Sequence, residues 1–374
     1  YIGEDGSSNE CNIHANGSLT VKNITFLGKN YPVSNYNLMR QAIRDDLVDC
    51  VWYGTITTEN GSVYNFTDSD IVEGSCTIQR SISSDSTLDI GTAYASELDI
   101  QFYMDVDRYL LHGAVINLRC KYQYRRALET WEEIAQFSWK DIEDSPWNDI
   151  KPSYKFEMGS FIVSETQRSA SKISVIAYDY MVKFDAVAVN DTADGSSNKK
   201  LAITGKQKHS PYQWICTLCN AVGVSVGNSQ SEIASLPNGT YRFVCDLGVV
   251  NEGLTARSIL MYLCAALGGF SYIGRDGKLY VDTYHSLSDD TINAGQRYSS
   301  DLSDFTVYYT GLRSTYVDGE TTEYVKSTLR TGKDDGLVVD LGINPFLQIS
   351  SSSHRQQCLQ NIINKIALAI YYVP

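Results

Sequence analysis

Cys216-Thr217-Leu218-Cys219 is the single Cys-x-x-Cys of the chain. A structural zinc needs four ligands, normally two such pairs or one pair with histidines. Cys245 and Cys264 stand alone, and His209 is not at ligand spacing. A redox pair would open a helix after a strand, whereas this one falls inside a helical pattern with Cys219 on the apolar face beside Leu218. The pair therefore reads as core thiols. His14, His112, His209, His285 and His354 are dispersed, and none is set against a Ser, Cys or carboxylate in a nucleophile pattern. Asp45-Asp46, Glu132-Glu133, Asp289-Asp290 and Asp334-Asp335 are adjacent in sequence, and adjacency does not make two carboxylates face each other across a cleft. Gly274-Arg275-Asp276-Gly277-Lys278 lacks the following helix of a phosphate cradle and reads as a hairpin turn. The expectation is a structural or binding protein rather than an enzyme, with no catalytic residue, cofactor-binding residue, metal ligand or cofactor.

Composition narrows the class further. The 374 residues are 43% hydrophobic and 20% charged, with a formal net charge of −13. That length carries two or three cored domains. The negative charge argues against holding nucleic acid through its phosphates, although not against a surface past which DNA slides. Tyrosine is abundant, 26 against seven prolines, as suits strands with one wet face. No apolar run approaches the roughly 18 residues that span a bilayer. The opening Tyr1-Ile2-Gly3-Glu4-Asp5 has neither the basic nor the apolar part of a leader, and the nine cysteines are odd in number and scattered. Synthesis in a cytoplasm, with reduced thiols and a trimmed start, is expected. The rival is a secreted glycoprotein, since Asn16, Asn23, Asn60, Asn65, Asn190 and Asn238 each begin an Asn-x-Ser/Thr acceptor pattern.

The elements follow from periodicity. Residues 161–166 and 173–178 read as a hairpin about a polar turn at 167–171, and Tyr180, Met181 and Phe184 then change to helical spacing. Strands are expected at 51–58 and 63–66 around Asn60-Gly61, at 71–82 with a bulge at Gly74, and at 97–103 and 114–123. With the hairpin this makes about seven strands, hence an antiparallel barrel or sandwich. Residues 124–155 interrupt it with Trp131, Trp139 and Trp147, packed on their own domain or against a neighbour. Ser210-Pro211-Tyr212-Gln213 is a capping box with proline at the first helical position, and Gly223 ends that helix. A second helix opens at Thr255 with Leu254 and Ile259 as a staple and closes at Gly268. Residues 270–273 and 278–283 form a hairpin. Strands at 305–311, 312–316, 323–328 and 337–340 precede a helix over 354–372. The fold class expected is β-rich α+β.

Several of these stretches resemble, together and in order, the hub protein of phage tail baseplates as carried by prophages of Gram-positive bacteria. They are Phe66-Thr67-Asp68-Ser69-Asp70 running to Ser75, Leu88-Asp89-Ile90-Gly91-Thr92-Ala93, Glu97-Leu98-Asp99-Ile100, Gly113-Ala114-Val115-Ile116 and the unit over residues 159–185. After these come Thr240-Tyr241-Arg242, Ala265-Ala266-Leu267-Gly268-Gly269-Phe270, Asp276-Gly277-Lys278-Leu279 and Asn344-Pro345-Phe346-Leu347. The likeness spans residues 39–374. It implies two small tube-like antiparallel barrels with α/β material between them. The corresponding organisation is an N-terminal arm (1–48), a first barrel (49–190) with the Trp-rich insertion (124–155), an α/β domain (191–300), and a second barrel part with a C-terminal helix (301–374). It further implies a homotrimer whose six barrels make a ring under the tail tube or a distal tail protein. That ring would carry a spike, fibre or receptor-binding protein in the virion tail. DNA would cross its lumen without specific binding, and no membrane insertion is involved. Siphophage relatives continue into a peptidoglycan hydrolase or receptor-binding region, and none is expected by residue 374. The alternative is a tail-tip protein that binds or hydrolyses cell-surface glycan through exposed tyrosines and tryptophans.

Overall fold

Alternating apolar and polar residues lay down the largest sheet. In the computed structural model the described residues are 24–26, 29–31, 42–43, 47–81, 89–137, 139–190, 200–203, 207–249, 253–284, 306–307, 309–317, 321–329, 336–367 and 371–372. The chain divides into two units, one of residues 1–52 and 120–156, the other of residues 53–119 and 157–374. Each is taken by itself.

Within the expected arm, β1 (Ile24–Phe26) and β2 (Lys29–Tyr31) pair as a short hairpin. The sheet strands are β3 (Val48–Thr57), β4 (Val63–Thr67), β5 (Thr77–Gln79), β6 (Glu97–Phe102), β7 (Val115–Tyr124), β8 (Ser153–Ser169) and β9 (Lys172–Asp179). They form one seven-stranded antiparallel sheet in the order β4-β3-β7-β8-β9-β6-β5. Residues 48–52, 120–124 and 153–156 of its strands belong to the first unit. In the second unit, one face is dry: Leu98, Ile100 and Phe102 of β6, Phe161 and Val163 of β8, and Ile173, Val175 and Ala177 of β9 are buried. A period of two puts these residues on one side without further instruction. Gly61, at φ +86°, turns β3 into β4, and Asn60 Oδ1 accepts from Thr58 Oγ1 and Ser62 N.

Three local expectations shift. The β8–β9 reversal needs only Ala170 and Ser171, because Ser169 already pairs with Lys172 and Ala170 takes φ +50°. The stretch 71–82 is not one strand. Gly74, at φ +74°, supports a turn rather than a bulge, Ile71 bridges Phe102, and β5 is only three residues long. That bridge stitches the chain leaving β4 onto β6, with Val72 N donating to Gln101 O (2.9 Å) and Tyr103 N to Asp70 O (2.8 Å). The Phe66 and Phe102 rings meet edge to face at 5.0 Å. Among the described residues no continuous ladder joins β4 to β6, so the sheet is not a closed barrel there. In the insertion, Trp131–Ile134 and Trp139–Ile142 are single helical turns.

The rest of the second unit is α+β. A helical turn at Val182–Asp185 leads to β10 (Ala188–Asn190), which pairs in parallel with β11 (Lys200–Ala202), and β12 (Lys208–His209) pairs with β13 (Phe243–Val244). Helix α1 (Pro211–Val222) has its capping box, Ser210 Oγ accepting from Gln213 N, and ends at left-handed Gly223. Helix α2 is Gln230–Ala234. Helix α3 (Ala256–Ala266), capped by Thr255, runs into the β14 (Gly269–Ile273) and β15 (Leu279–Thr283) hairpin. Then come β16 (Thr306–Val307), β17 (Tyr309–Thr315), β18 (Thr322–Lys326), β19 (Leu337–Ile343), helix α4 (Ser352–Ile366) and β20 (Tyr371–Tyr372). The order β18-β17-β19 makes β17 and β19 parallel neighbours. α4 stops earlier than expected: the Ala367 N–H caps on Ile363 O, and Tyr371–Tyr372 pair as strand with Thr306–Val307. Residues 368–370 of the expected helix lie outside the described residues. The core of this part gathers Trp214, Leu218, Ile259, Leu263, Phe346, Leu359 and Ile362, all fully buried.

Candidate functional site

The residues singled out for chemistry fall into structural places. Cys219 is buried inside α1, where burial first and the neighbouring Cys216 second push its thiol up to about 12. Burial likewise holds Cys245 and Cys264 at about 12 and Cys358 at about 11. At each of these positions burial favours the neutral thiol over the thiolate. His112 is in a turn, and the His209 ring packs edge-on against Trp214 at 5.0 Å. Glu132 and Glu133 sit in the first turn of a capped helical turn. His14, His285, Asp45-Asp46, Asp289-Asp290 and Asp334-Asp335 lie outside the described residues. Among the described residues no group of three or more His, Cys, Asp or Glu is placed to hold a metal ion. Nor is any helix there long and apolar enough to cross a membrane.

Two arrangements that the sequence did not flag stand out in the second unit. The first is a buried ion pair. Glu323 of β18 and Arg355 of α4 meet at 2.8 Å, with side chains only 9% and 10% exposed. Glu323 also accepts from Ser352 Oγ (2.6 Å) and Gln356 Nε2 (2.9 Å). Arg355 Nη1 donates to the Ile349 and Ser350 carbonyls, and the guanidinium lies over the Tyr316 ring at 4.3 Å. Burial alone would raise the Glu323 carboxyl, but the bonds from Ser352, Gln356 and Arg355 outweigh it and hold its pKa below the ordinary value. The knot locks the first turn of α4 onto the sheet.

The second is a groove of ≈ 750 Å³ between the outward face of α4 and the loop from Ser235 to Tyr241. The helix supplies Gln357, Asn361 and Asn364, three or four residues apart and therefore on one side. The loop is rigid. Asn238 is left-handed at φ +57°, and a Cβ on Gly239 would meet Ile233 O at 2.0 Å. Buried Asn238 donates through Nδ2 to Ala266 O (2.9 Å) and Cys358 O (3.0 Å). With its amide used in this way, Asn238 is a poor glycosylation acceptor despite its sequence pattern. The periodic amides of α4 were visible in the sequence, but their facing loop was not.

In the first unit, the aromatic insertion leaves Trp131 76% and Trp147 67% exposed. Among the unit's described residues Ala42, Val48, Cys120, Ile142 and Ile150 are buried, and Tyr122, Tyr124 and Tyr154 pack on Ala42 and Val48.

No protein-family profile matches the chain, and no curated protein matches it. Solved structures similar to it at low identity include three tail proteins. The 43 kDa tail protein of prophage MuSo2 from Shewanella oneidensis is 10% identical, over 85% of this chain and 80% of that one, with a TM-score of 0.42. Prophage tail protein gp18 from Listeria monocytogenes EGD-e is 11% identical over 82% and 76%, with a TM-score of 0.42. The tail protein from Neisseria meningitidis MC58 is 8% identical over 82% and 74%, with a TM-score of 0.37.

Proposed function

We propose that this chain is a structural protein of a phage or prophage tail, and within it the hub of a baseplate or tail tip. One observation carries the reading: the motifs that resemble the hub family fall on the joints of the framework. Asp70 caps the turn after β4, accepting from Thr67 N at 2.8 Å, and Ser75 Oγ accepts from Gln101 N of β6 at 3.1 Å. Gly91, at φ +84°, donates to Gly269 O at 2.7 Å and has Met261 O and Ala265 Cβ where a side chain would go. Asp179 closes β9, its carboxylate accepting from Ser96 N (2.8 Å) and Met181 N (2.9 Å). Gly269 leaves no room for a Cβ against Asp282 O. Fully buried Asn344 donates to Tyr262 O (2.8 Å) and accepts from Phe346 N (2.9 Å). A resemblance concentrated in joints speaks for a shared scaffold rather than a shared reaction.

In this reading three copies form a ring with two barrel-like regions each. The ring continues the tail tube or a distal tail protein and carries the spike, fibre or receptor-binding protein below. The net charge of −13 suits a lumen that DNA must cross without sticking. Electron microscopy of the assembled protein tests it. A three-fold or pseudo-six-fold annulus is the expected result, and particles without a central channel at every concentration would overturn it.

A further inference from the structure

We propose that the groove beside α4 binds a neutral, hydroxyl-rich ligand, a short segment of uncharged glycan. The proposal stands independently of the tail reading. It rests on an amide relay anchored at one end to the main chain. Both donors of Asn238 Nδ2 are spent on the Ala266 and Cys358 carbonyls, so its Oδ1 must face outward. That oxygen accepts from Asn361 Nδ2 at 2.9 Å, and Asn361 Oδ1 accepts from Gln357 Nε2 at 2.9 Å. Each bond orients the next amide, and the relay ends on Gln357 Oε1, an exposed acceptor held in a set direction. The neighbouring amide is oriented in the opposite sense. Asn364 Oδ1 accepts from Thr328 N (3.1 Å), Thr328 Oγ1 (3.1 Å) and Gln360 Nε2 (2.9 Å). Its Nδ2 donors have no such partners among the described residues.

The walls thus offer an oriented acceptor and an oriented donor pair, all uncharged. A sugar hydroxyl both donates and accepts, and vicinal hydroxyls match such a pattern. Among the described residues no carboxylate lines the groove, and its only cationic side chain is Lys365, with His354 the one other titrating base. Apolar surface comes from Leu236, Pro237 and Tyr241, the Tyr241 ring being braced on Phe243 at 4.8 Å. Such a face suits the C–H side of a pyranose. A volume of ≈ 750 Å³ lies in the range of small-molecule sites. Because the donors and acceptors are already positioned by the fold, little ordering cost remains on binding.

The test is titration of the full chain with chitotetraose and maltotetraose, and with tetragalacturonate as the acidic comparator. At least one neutral tetramer is expected to bind. Gln357→Leu removes the terminal acceptor at an exposed position. It should weaken that binding about tenfold while leaving the melting temperature unchanged. Asn364→Leu should do the same, although it also releases Thr328. Binding of neither neutral tetramer, binding indifferent to Gln357→Leu, or tighter binding of the acidic tetramer would each overturn the proposal.

Discussion

Taken each by itself, the described residues of the two units make different kinds of contact. In the second, burial dominates: more than thirty residues share one apolar cluster around Trp214, Leu263 and Ile362, and its principal ion pair is buried with them. Among the described residues of the first, Ala42 and Val48 form a small cluster. Its described residues also carry surface pairs such as Arg125–Asp49 (2.7 Å), Arg126–Glu133 (2.6 Å) and Lys155–Asp144 (2.6 Å). There the Glu133 carboxyl is lowered to about 2 by the Glu129 N–H, by Arg126 and by the Thr130 N–H. Apolar burial is insensitive to salt, whereas exposed pairs are screened. The second unit should therefore resist salt and the first should soften in it.

Five substitutions break or sharpen that contrast. Trp214→Ala removes a fully buried side chain and its bond to Phe243 O (3.2 Å). A loss of about 4 kcal/mol is expected in chemical denaturation. Glu323→Ala strands the Arg355 charge in the core and should cost about 3 kcal/mol. The same site sets the acid limb. The Glu323 pKa is lowered in the fold, so the stability it contributes is present above its ordinary value of 4.5. That stability is lost as pH falls through the lower folded value. Glu323→Gln should flatten stability against pH below 4.5, and an unchanged acid limb would show that the knot is not ionic.

The remaining two probe the smaller unit and have smaller effects. The Tyr154 hydroxyl is buried without a protein partner among the described residues, and burial raises its pKa. Tyr154→Phe should therefore stabilise by about 1 kcal/mol. Arg125→Ala breaks a pair whose partners are 49% and 60% exposed. Its effect should stay under about 1 kcal/mol and vanish in roughly 1 M salt, read by thermal melting at two ionic strengths.

Much of the local structure was legible. Capping at Ser210 and Thr255, the Asn60-Gly61 hairpin and the strands through Ile173, Val175 and Ala177 depend on residues within a few positions of each other. Less legible was anything decided at a distance. The 71–82 stretch has strand composition, yet the stitch from Asp70 to Tyr103 turns it away. Tyr371 and Tyr372 continue a helical pattern, yet a strand partner at Thr306–Val307 takes them.

The sequence alone determined local elements such as α1, α3 and the β3–β4 hairpin, which of their faces are apolar, and that the cysteines and histidines form no recognisable reactive pattern. Those properties come from spacing and side-chain type. Tertiary structure alone decided that β17 would lie parallel to β19, that Glu323 would find Arg355, and that Asn238 would face Asn361 across 123 residues. Pairings of this kind depend on which distant surfaces are left to bury and which polar groups are left to satisfy once the local elements have formed. No periodicity within either partner records that choice.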